Sequence, residues 1–276
     1  MEQNKVKILV ACHKPDSVYQ DEVYTPIHVG RAISKYKNEM SGMIGDDTGD
    51  NISEKNPNYC ELTAQYWGWK NLDCEYIGLC HYRRYFEQKI TVDNVDNLLG
   101  DNYDALCIKQ IHSYMTMSAR LVRATCLEDF QIFVSCLKKV SPEYYDTAKK
   151  VLEGGDIIPY NMFVMKKSAF NKFAEWQFSV IAEMEKYVKL SGYSRARRIY
   201  GYFTEIMLLI YFKQNNMAVR YSPLVSMQGD KYRGNAILSW GFGVTCYIHN
   251  KLFGSKIDVD IPAVIGGLKF DGINIE

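Results

Sequence analysis

The chain has 276 residues, 47% hydrophobic and 24% charged, a balance that builds a folded domain and excludes long disordered stretches. That length suits one large or two small domains. The net charge of +1 excludes a global field for nucleic acid or an acidic membrane, leaving only local basic patches.

In chain order, residues 6–12 read as a buried strand that ends at His13-Lys14-Pro15-Asp16. Ligands of open α/β sheets sit beyond the carboxyl ends of strands, so His13 and Lys14 are candidate ligand contacts. Residues 45–58 form a polar loop, and a helix follows with Asn56 as N-cap and Pro57 as its first residue. Tyr59, Leu62, Tyr66 and Trp69 share one face of that helix, which stops near Lys70-Asn71. Residues 76–80 are a second buried strand that runs into His81-Tyr82-Arg83-Arg84.

Residues 103–108 read as a strand, and 118–139 and 142–153 as helices, the latter broken by Gly154-Gly155-Asp156. A strand over 160–165, helices over 167–190 and 197–213, and a strand over 219–222 follow. Beyond 223 the pattern weakens, and Gly229, Gly234, Gly241, Gly243, Gly254, Gly266 and Gly267 read as loop residues. Short buried strands alternating with helices predict an α/β fold. It is a single Rossmann-like domain with a mainly parallel central sheet flanked by helices and irregular C-terminal additions.

The eight cysteines form no C-x-x-C pair, so no zinc signature exists. The polar start enters the first strand at once, which reads as no signal peptide and a reducing, cytoplasmic setting. No apolar run reaches the roughly 20 residues that span a bilayer, and 206–212 reads as a buried helical segment. Membrane contact is therefore expected to be at most peripheral, at the inner face.

The strand end at 76–86 is the sharpest motif. In extended geometry His81 and Arg83 share one face, and Tyr82 and Arg84 the other. An arginine offers a planar fork of donors that matches a phosphate, so the motif is a plausible diphosphate cradle. The bland alternative is a solvated basic edge that discourages strand pairing. The flanking aromatics favour the cradle. Thr63 and Lys70, on the preceding helix, join the candidate donor contacts, although a lysine there also suits a solvated helix end. Asn161, at the mouth of the strand that follows it, reads either as a ligand for a sugar hydroxyl or as a plain strand-start asparagine.

The runs Tyr59-Cys60-Glu61-Leu62-Thr63, Tyr66-Trp67-Gly68-Trp69-Lys70-Asn71 and 76–86 together resemble a family of bacterial surface-polysaccharide proteins. Its members are named as a domain of unknown function or as capsule or exopolysaccharide glycosyltransferases. The resemblance extends to 46–53, to 160–165 and to 198–205, and covers about residues 5–225. It implies a GT-A-like fold and hexosyl transfer from a UDP-sugar, with galactofuranose as the sugar of some members. It also implies a glycan or lipid-linked acceptor; the neutral charge balance and the absence of a basic stripe argue against a nucleic-acid partner.

Many GT-A enzymes hold a divalent metal on an Asp-x-Asp pair at a strand end, where this chain has His81-Tyr82-Arg83. No metal ligand is therefore assigned. Mg2+ or Mn2+ on the loop with Asp46, Asp47 and Asp50 stays open beside a plain solvated turn. Arginine can neutralise a leaving diphosphate directly.

An inverting transferase needs a carboxylate base. Glu205, in an otherwise apolar helix, is the first candidate, with a salt bridge to Arg198 as the alternative. Asp156, in its Gly-Gly-Asp turn, is the second, with a plain turn residue as the alternative. The basic cluster 194–198 reads as a solvated loop or as a steering patch for an anionic acceptor. The competing class is a non-catalytic nucleotide- or carbohydrate-binding module, which would bind without turnover.

Overall fold

The computed structural model describes residues 4–227, 236–253 and 257–275. The chain divides into two compact units. Unit one comprises Met1–Lys109, Ile158–Ala174 and Met217–Gly234; unit two comprises Gln110–Ile157, Glu175–Asn216 and Asn235–Glu276. The strands, in chain order, are β1 (Asn4–Cys12), β2 (Tyr24–His28), β3 (Ile44–Gly45), β4 (Cys74–His81), β5 (Arg84–Phe86), β6 (Ala105–Ile108), β7 (Ile111–His112), β8 (Asp156–Ile157), β9 (Phe163–Lys166), β10 (Val219–Ser222) and β11 (Leu224–Ser226). Helices of two turns or more are α1 (Leu62–Asn71), α2 (Met117–Ala124), α3 (Leu127–Val140), α4 (Tyr145–Glu153), α5 (Lys167–Met184), α6 (Ile199–Gln214), α7 (Ala236–Phe253) and α8 (Pro262–Phe270).

Unit one holds the large sheet, in the order β10–β6–β9–β4–β1–β2–β3, with β5 and β11 continuing from β4. Neighbours on the main path are parallel except around β9, which runs antiparallel to β4 and β6. The fold is therefore the mostly parallel α/β class that alternation of strand and helix predicts. β1 and β4 lie at its centre. Both are buried on both faces, so both read as continuous apolar runs rather than alternating ones.

The sequence passes from β1 to β2 and β3 on one side, then returns to place β4 on the other side of β1. That reversal makes the carboxyl ends of β1 and β4 a topological switch point, where open α/β sheets bind ligands. The register pairs Ala11 with His81, so the segments leaving the two strands start side by side.

Two glycines let the layers close. A Cβ on Gly78 would lie 2.8 Å from Val164 Cγ2 and 2.9 Å from the Phe163 carbonyl oxygen. A Cβ on Gly68 would lie 2.8 Å from Leu9 Cδ1, so α1 rests directly on β1. We expect Gly78→Ala to destabilise the protein by about 2 kcal/mol in equilibrium urea unfolding, because the backbone of β9 cannot yield.

The helix expected from Asn56 is in two pieces. Asn56–Tyr59 is one turn, Cys60 breaks it, and α1 begins at Leu62. Asn56 is not a cap; its amide donates to the Cys60 carbonyl and to Thr63 Oγ1. α1 buries Leu62, Thr63, Ala64, Gln65 and Gly68, while Tyr66 and Trp69 lie at its margin.

In unit two, β7 and β8 form an antiparallel ribbon that pairs His112 with Asp156. α6 is its apolar axis, buried from Ile206 to Phe212 as expected. Phe203 packs on Phe133 with ring centroids 4.7 Å apart, and Tyr144 stacks on Trp176 at 4.6 Å. The single helix expected over 118–139 is two, because Cys126 caps α3 by accepting from the Asp129 N–H. α5 ends at Met184, short of the expected 190.

The largest departure is after 223. Gly241 and Gly243 lie inside α7, and Gly266 and Gly267 inside α8, where loops were expected. Gly243 is there for contact: a Cβ would lie 2.7 Å from His112 Cδ2. Gly229, Gly234 and Gly254 lie outside the described residues.

Candidate functional site

The segment after β1 is pinned to the segment after β4. Arg83 donates from Nε (2.9 Å) and Nη2 (2.7 Å) to Asp16 Oδ2. The hydrogen bond from Arg83 holds the Asp16 carboxyl below the usual carboxylate range. Further along, the Tyr19 N–H donates to Tyr85 Oη, and Tyr85 Oη donates to the Tyr82 carbonyl.

Asp21 secures the far end of this loop. It accepts from the N–H groups of Val23 and Tyr24, from Tyr19 Oη and from Lys89. Partial burial pushes its carboxyl up, but the bonds from Tyr24, Tyr19, Lys89 and Val23 outweigh that and bring it from 3.8 down to about 2. The folded value lies below the unfolded one, so the contribution is complete above pH 3.8 and is lost as pH falls through about 2. We expect Asp21→Asn to cost about 1 kcal/mol at pH 7 after allowance for solvent screening. The gap from wild type should narrow below pH 3.8 and close only below about pH 2 in acid-unfolding curves.

Arg84 differs from Arg83. Its guanidinium lies 4.2 Å from the Tyr160 ring centroid, and its buried Nε has no acceptor. Among the described residues no carboxylate pairs with it. His81 Nε2 is 2.7 Å from the Tyr160 carbonyl oxygen, which only accepts, so Nε2 carries the proton.

Tyr160 and Asn161 are consecutive left-handed residues, at φ 70° and 50°. Asn161 is fully buried, and its Nδ2 donates to Glu61 Oε1 at 2.7 Å. The residue before Glu61, Cys60, has φ 55° and ψ −130°, a region that suits glycine. Such backbone costs of order 1–3 kcal/mol per residue and gathers at functional sites. Three strained residues thus converge on one carboxylate–amide pair. Glu61 was not among the sequence candidates, although a glutamate between Cys60 and Leu62 in an apolar run was a usable signal.

The remaining candidates separate. His13 is exposed, edge-on to Tyr82 at 5.5 Å, and Lys14 lies half-buried near Asp16 without a carboxylate partner among the described residues. Together with His81, Arg83, Arg84 and Asn161 they occupy the carboxyl edge of the sheet. Thr63 is fully buried, and its hydroxyl donates to the Cys60 carbonyl, shaping the turn before Glu61. Lys70 is at the opposite end of α1, its ammonium 3.5 Å from the Trp69 ring centroid. Asp156 and Glu205 belong to unit two. Asp156 pairs with His112 Nδ1 at 2.6 Å, and Glu205 is half-buried on α6. In the basic cluster Arg195 and Arg197 donate to backbone carbonyls of Arg123, Ser191 and Gly192.

A cavity of about 540 Å³ lies under the loop, walled by Tyr19, Tyr24, Tyr85 and Val225. The three tyrosine hydroxyls already have partners, so the tyrosines offer ring faces, while Ser17, Glu87 and Lys89 supply the polar part of its lining.

A family described as a domain of unknown function, DUF4422, matches residues 7–216. The chain belongs to the DUF4422 family. Its match spans β1 through α6 and so includes the switch point and the Glu61–Asn161 pair. The solved apo structure of WbbM, a bifunctional glycosyltransferase, is similar at 30% identity with a TM-score of 0.72. The likeness covers 84% of this chain and 47% of that one, so the chain spans about half the length of WbbM. No curated protein matches the sequence. This DUF4422 chain has a GT-A-like fold. Among the described residues no helix is long and apolar enough to cross a membrane.

The residues at the end of β4 do not fit the divalent metal that many GT-A enzymes carry. Hard cations take oxygen ligands, and this strand end supplies an imidazole and two guanidinium groups. The nearby carboxylates of Asp16 and Glu61 already accept from Arg83 and Asn161. Among the described residues no three His, Cys, Asp or Glu side chains are grouped to hold a metal ion. In the acidic loop Asp46 is buried and accepts from the Gly30 and Arg31 N–H groups and from Ser53 Oγ. Asp47 lies 3.5 Å from Arg31, and Asp50 accepts from Tyr66 Oη.

Proposed function

We propose that this chain is a glycosyltransferase of surface-polysaccharide synthesis. It moves a hexose, galactofuranose being the sugar the family resemblance suggests, from a UDP-sugar to a glycan or lipid-linked acceptor. The observation that carries the reading is the Arg84 guanidinium, which has no carboxylate partner among the described residues, at the switch point of a GT-A-like sheet. The 30% identity to a glycosyltransferase supports it.

In this reading Arg84 takes the diphosphate, with Lys14 and, once released from Asp16, Arg83. Their positive charge stabilises the developing negative charge on the leaving group without a metal. The acceptor hydroxyl oxygen attacks the anomeric carbon, and the bond from that carbon to the diphosphate breaks. UDP leaves with the bonding electrons, and the hydroxyl proton passes to a carboxylate base. Glu205 and Asp156 are the proposed bases; Asp156 is already oriented by His112. The outcome is inversion.

Calorimetric titration with UDP tests the donor site, and a thermogram with no binding heat at any temperature would remove the reading's main support. Turnover is tested on Glu205→Gln and Asp156→Asn. At least one of them should lower kcat by 100-fold or more, about the scale of a lost general base. Binding without turnover in wild type would instead indicate a recognition module.

A further inference from the structure

Glu61 is the N-cap residue of α1, where the helix dipole favours a carboxylate, yet it is also buried. It is 8% exposed, and among the described residues neither a cation nor any donor other than Asn161 reaches its carboxylate. Burying a charge without a counter-ion is costly. If its task were only to hold the Asn161 amide, a glutamine would accept the same hydrogen bond without that cost. The backbone around it is strained on both sides, at Cys60 and at Tyr160-Asn161, and that strain fixes where the carboxylate points. One oxygen is taken by Asn161, and among the described residues the other has no hydrogen-bond donor.

The surroundings narrow what it accepts from. Asn161 follows Tyr160 directly, and Tyr160 carries Arg84 on its ring and His81 on its carbonyl. A free anion would be repelled by Glu61. A divalent cation would need further charged ligands, and among the described residues no three His, Cys, Asp or Glu side chains are grouped here. A neutral hydroxyl group meets neither objection, and an O–H donor to a carboxylate makes a short, strong bond. The same turn thus presents a guanidinium for phosphate and a carboxylate for hydroxyl.

We propose that Glu61 binds a hydroxyl of the donor's sugar ring, with Asn161 as the positioning residue that aims it. The proposal rests on the nucleotide-sugar reading above. It assigns sugar recognition to Glu61 and diphosphate recognition to Arg84, so the two contributions separate experimentally.

The test compares UDP with UDP-galactofuranose and UDP-galactopyranose by calorimetry on wild type, Glu61→Gln and Asn161→Ala. Glutamine keeps its oxygen toward Asn161 and turns an N–H2 donor to the open side, so the fold should persist and only the acceptor be lost. In Glu61→Gln we expect UDP affinity to match wild type and Tm to equal or exceed it, while the tighter-binding UDP-sugar loses about 10- to 100-fold, the range of a hydrogen bond to a charged group. Asn161→Ala should show a smaller loss of the same kind. Equal weakening of UDP and UDP-sugar, or no change in either, would overturn the assignment of Glu61. So would a wild type that binds UDP and both UDP-sugars equally. A wild type that binds no UDP would overturn the nucleotide-sugar reading itself.

Discussion

Replacing Arg84 by alanine is expected to weaken UDP binding by at least about 100-fold, with little change in Tm. The size follows from the loss of a charge-assisted, two-pronged contact to phosphate, on the order of 3 kcal/mol. The small stability effect follows from the present surroundings of the side chain. It has no carboxylate partner among the described residues, and its Nε is already unsatisfied. Only its stacking on Tyr160 is lost, about 1 kcal/mol or less. Arg84→Lys should fall between, because lysine keeps the charge and loses the fork.

Arg83 should behave differently. Its fork is committed to Asp16, so a ligand must displace that carboxylate first. Arg83→Ala should cost UDP affinity only about tenfold, while Asp16→Asn should improve it a few-fold by freeing the guanidinium, changes near 1 kcal/mol. The folded carboxyl of Asp16 is shifted down, so the pair is intact above the ordinary carboxylate range and loosens as pH falls through the lowered value. Calorimetry on the single variants decides the matter. An Arg84→Ala protein with wild-type UDP affinity would remove Arg84 from the site.

What the sequence made legible was the frame of this site. β1 and β4 are buried on both faces, so they stand out as apolar runs, and the polar residues after them mark the ligand end of the sheet. β2 was not legible, because it is five residues long and contains Pro26. β3 has two residues and is visible only through its pairing with β2. The contacts that give the site its character are non-local. Asn161 meets Glu61 across 100 residues, and His112 meets Asp156 across 44. The strained turns are also silent in the sequence, since Cys60 and Tyr160 occupy positions where a glycine would have announced a positive φ. In α7 and α8 the glycines argued for loops; Gly243 packs against His112, whereas nothing among the described residues lies near Gly241, Gly266 or Gly267 to explain their place in a helix.

The acidic loop gives the second large effect. Asp46→Ala should lower stability by about 3–5 kcal/mol in urea unfolding, because it orphans two backbone N–H groups and a serine hydroxyl, all part of a buried network. Asp47→Ala and Asp50→Ala should each cost less than about 1 kcal/mol, since their partners sit at the surface. The contrast separates two roles for the loop. A loop that served a cation would lose ion-dependent stabilisation in all three variants, whereas a structural Asp46 gives a deficit that Mg2+ or Mn2+ does not alter. The network also reaches the sugar-binding proposal. Asp46 holds Ser53, Ser53 accepts from the Ala32 N–H, and the turn that begins at Ser53 leads through Asn56 to Cys60 and Glu61. A partial loss at this anchor, as in Ser53→Ala, should therefore weaken UDP-sugar more than UDP. An effect of equal size on both would place the anchor's influence on the whole edge of the sheet rather than on the turn that carries Glu61.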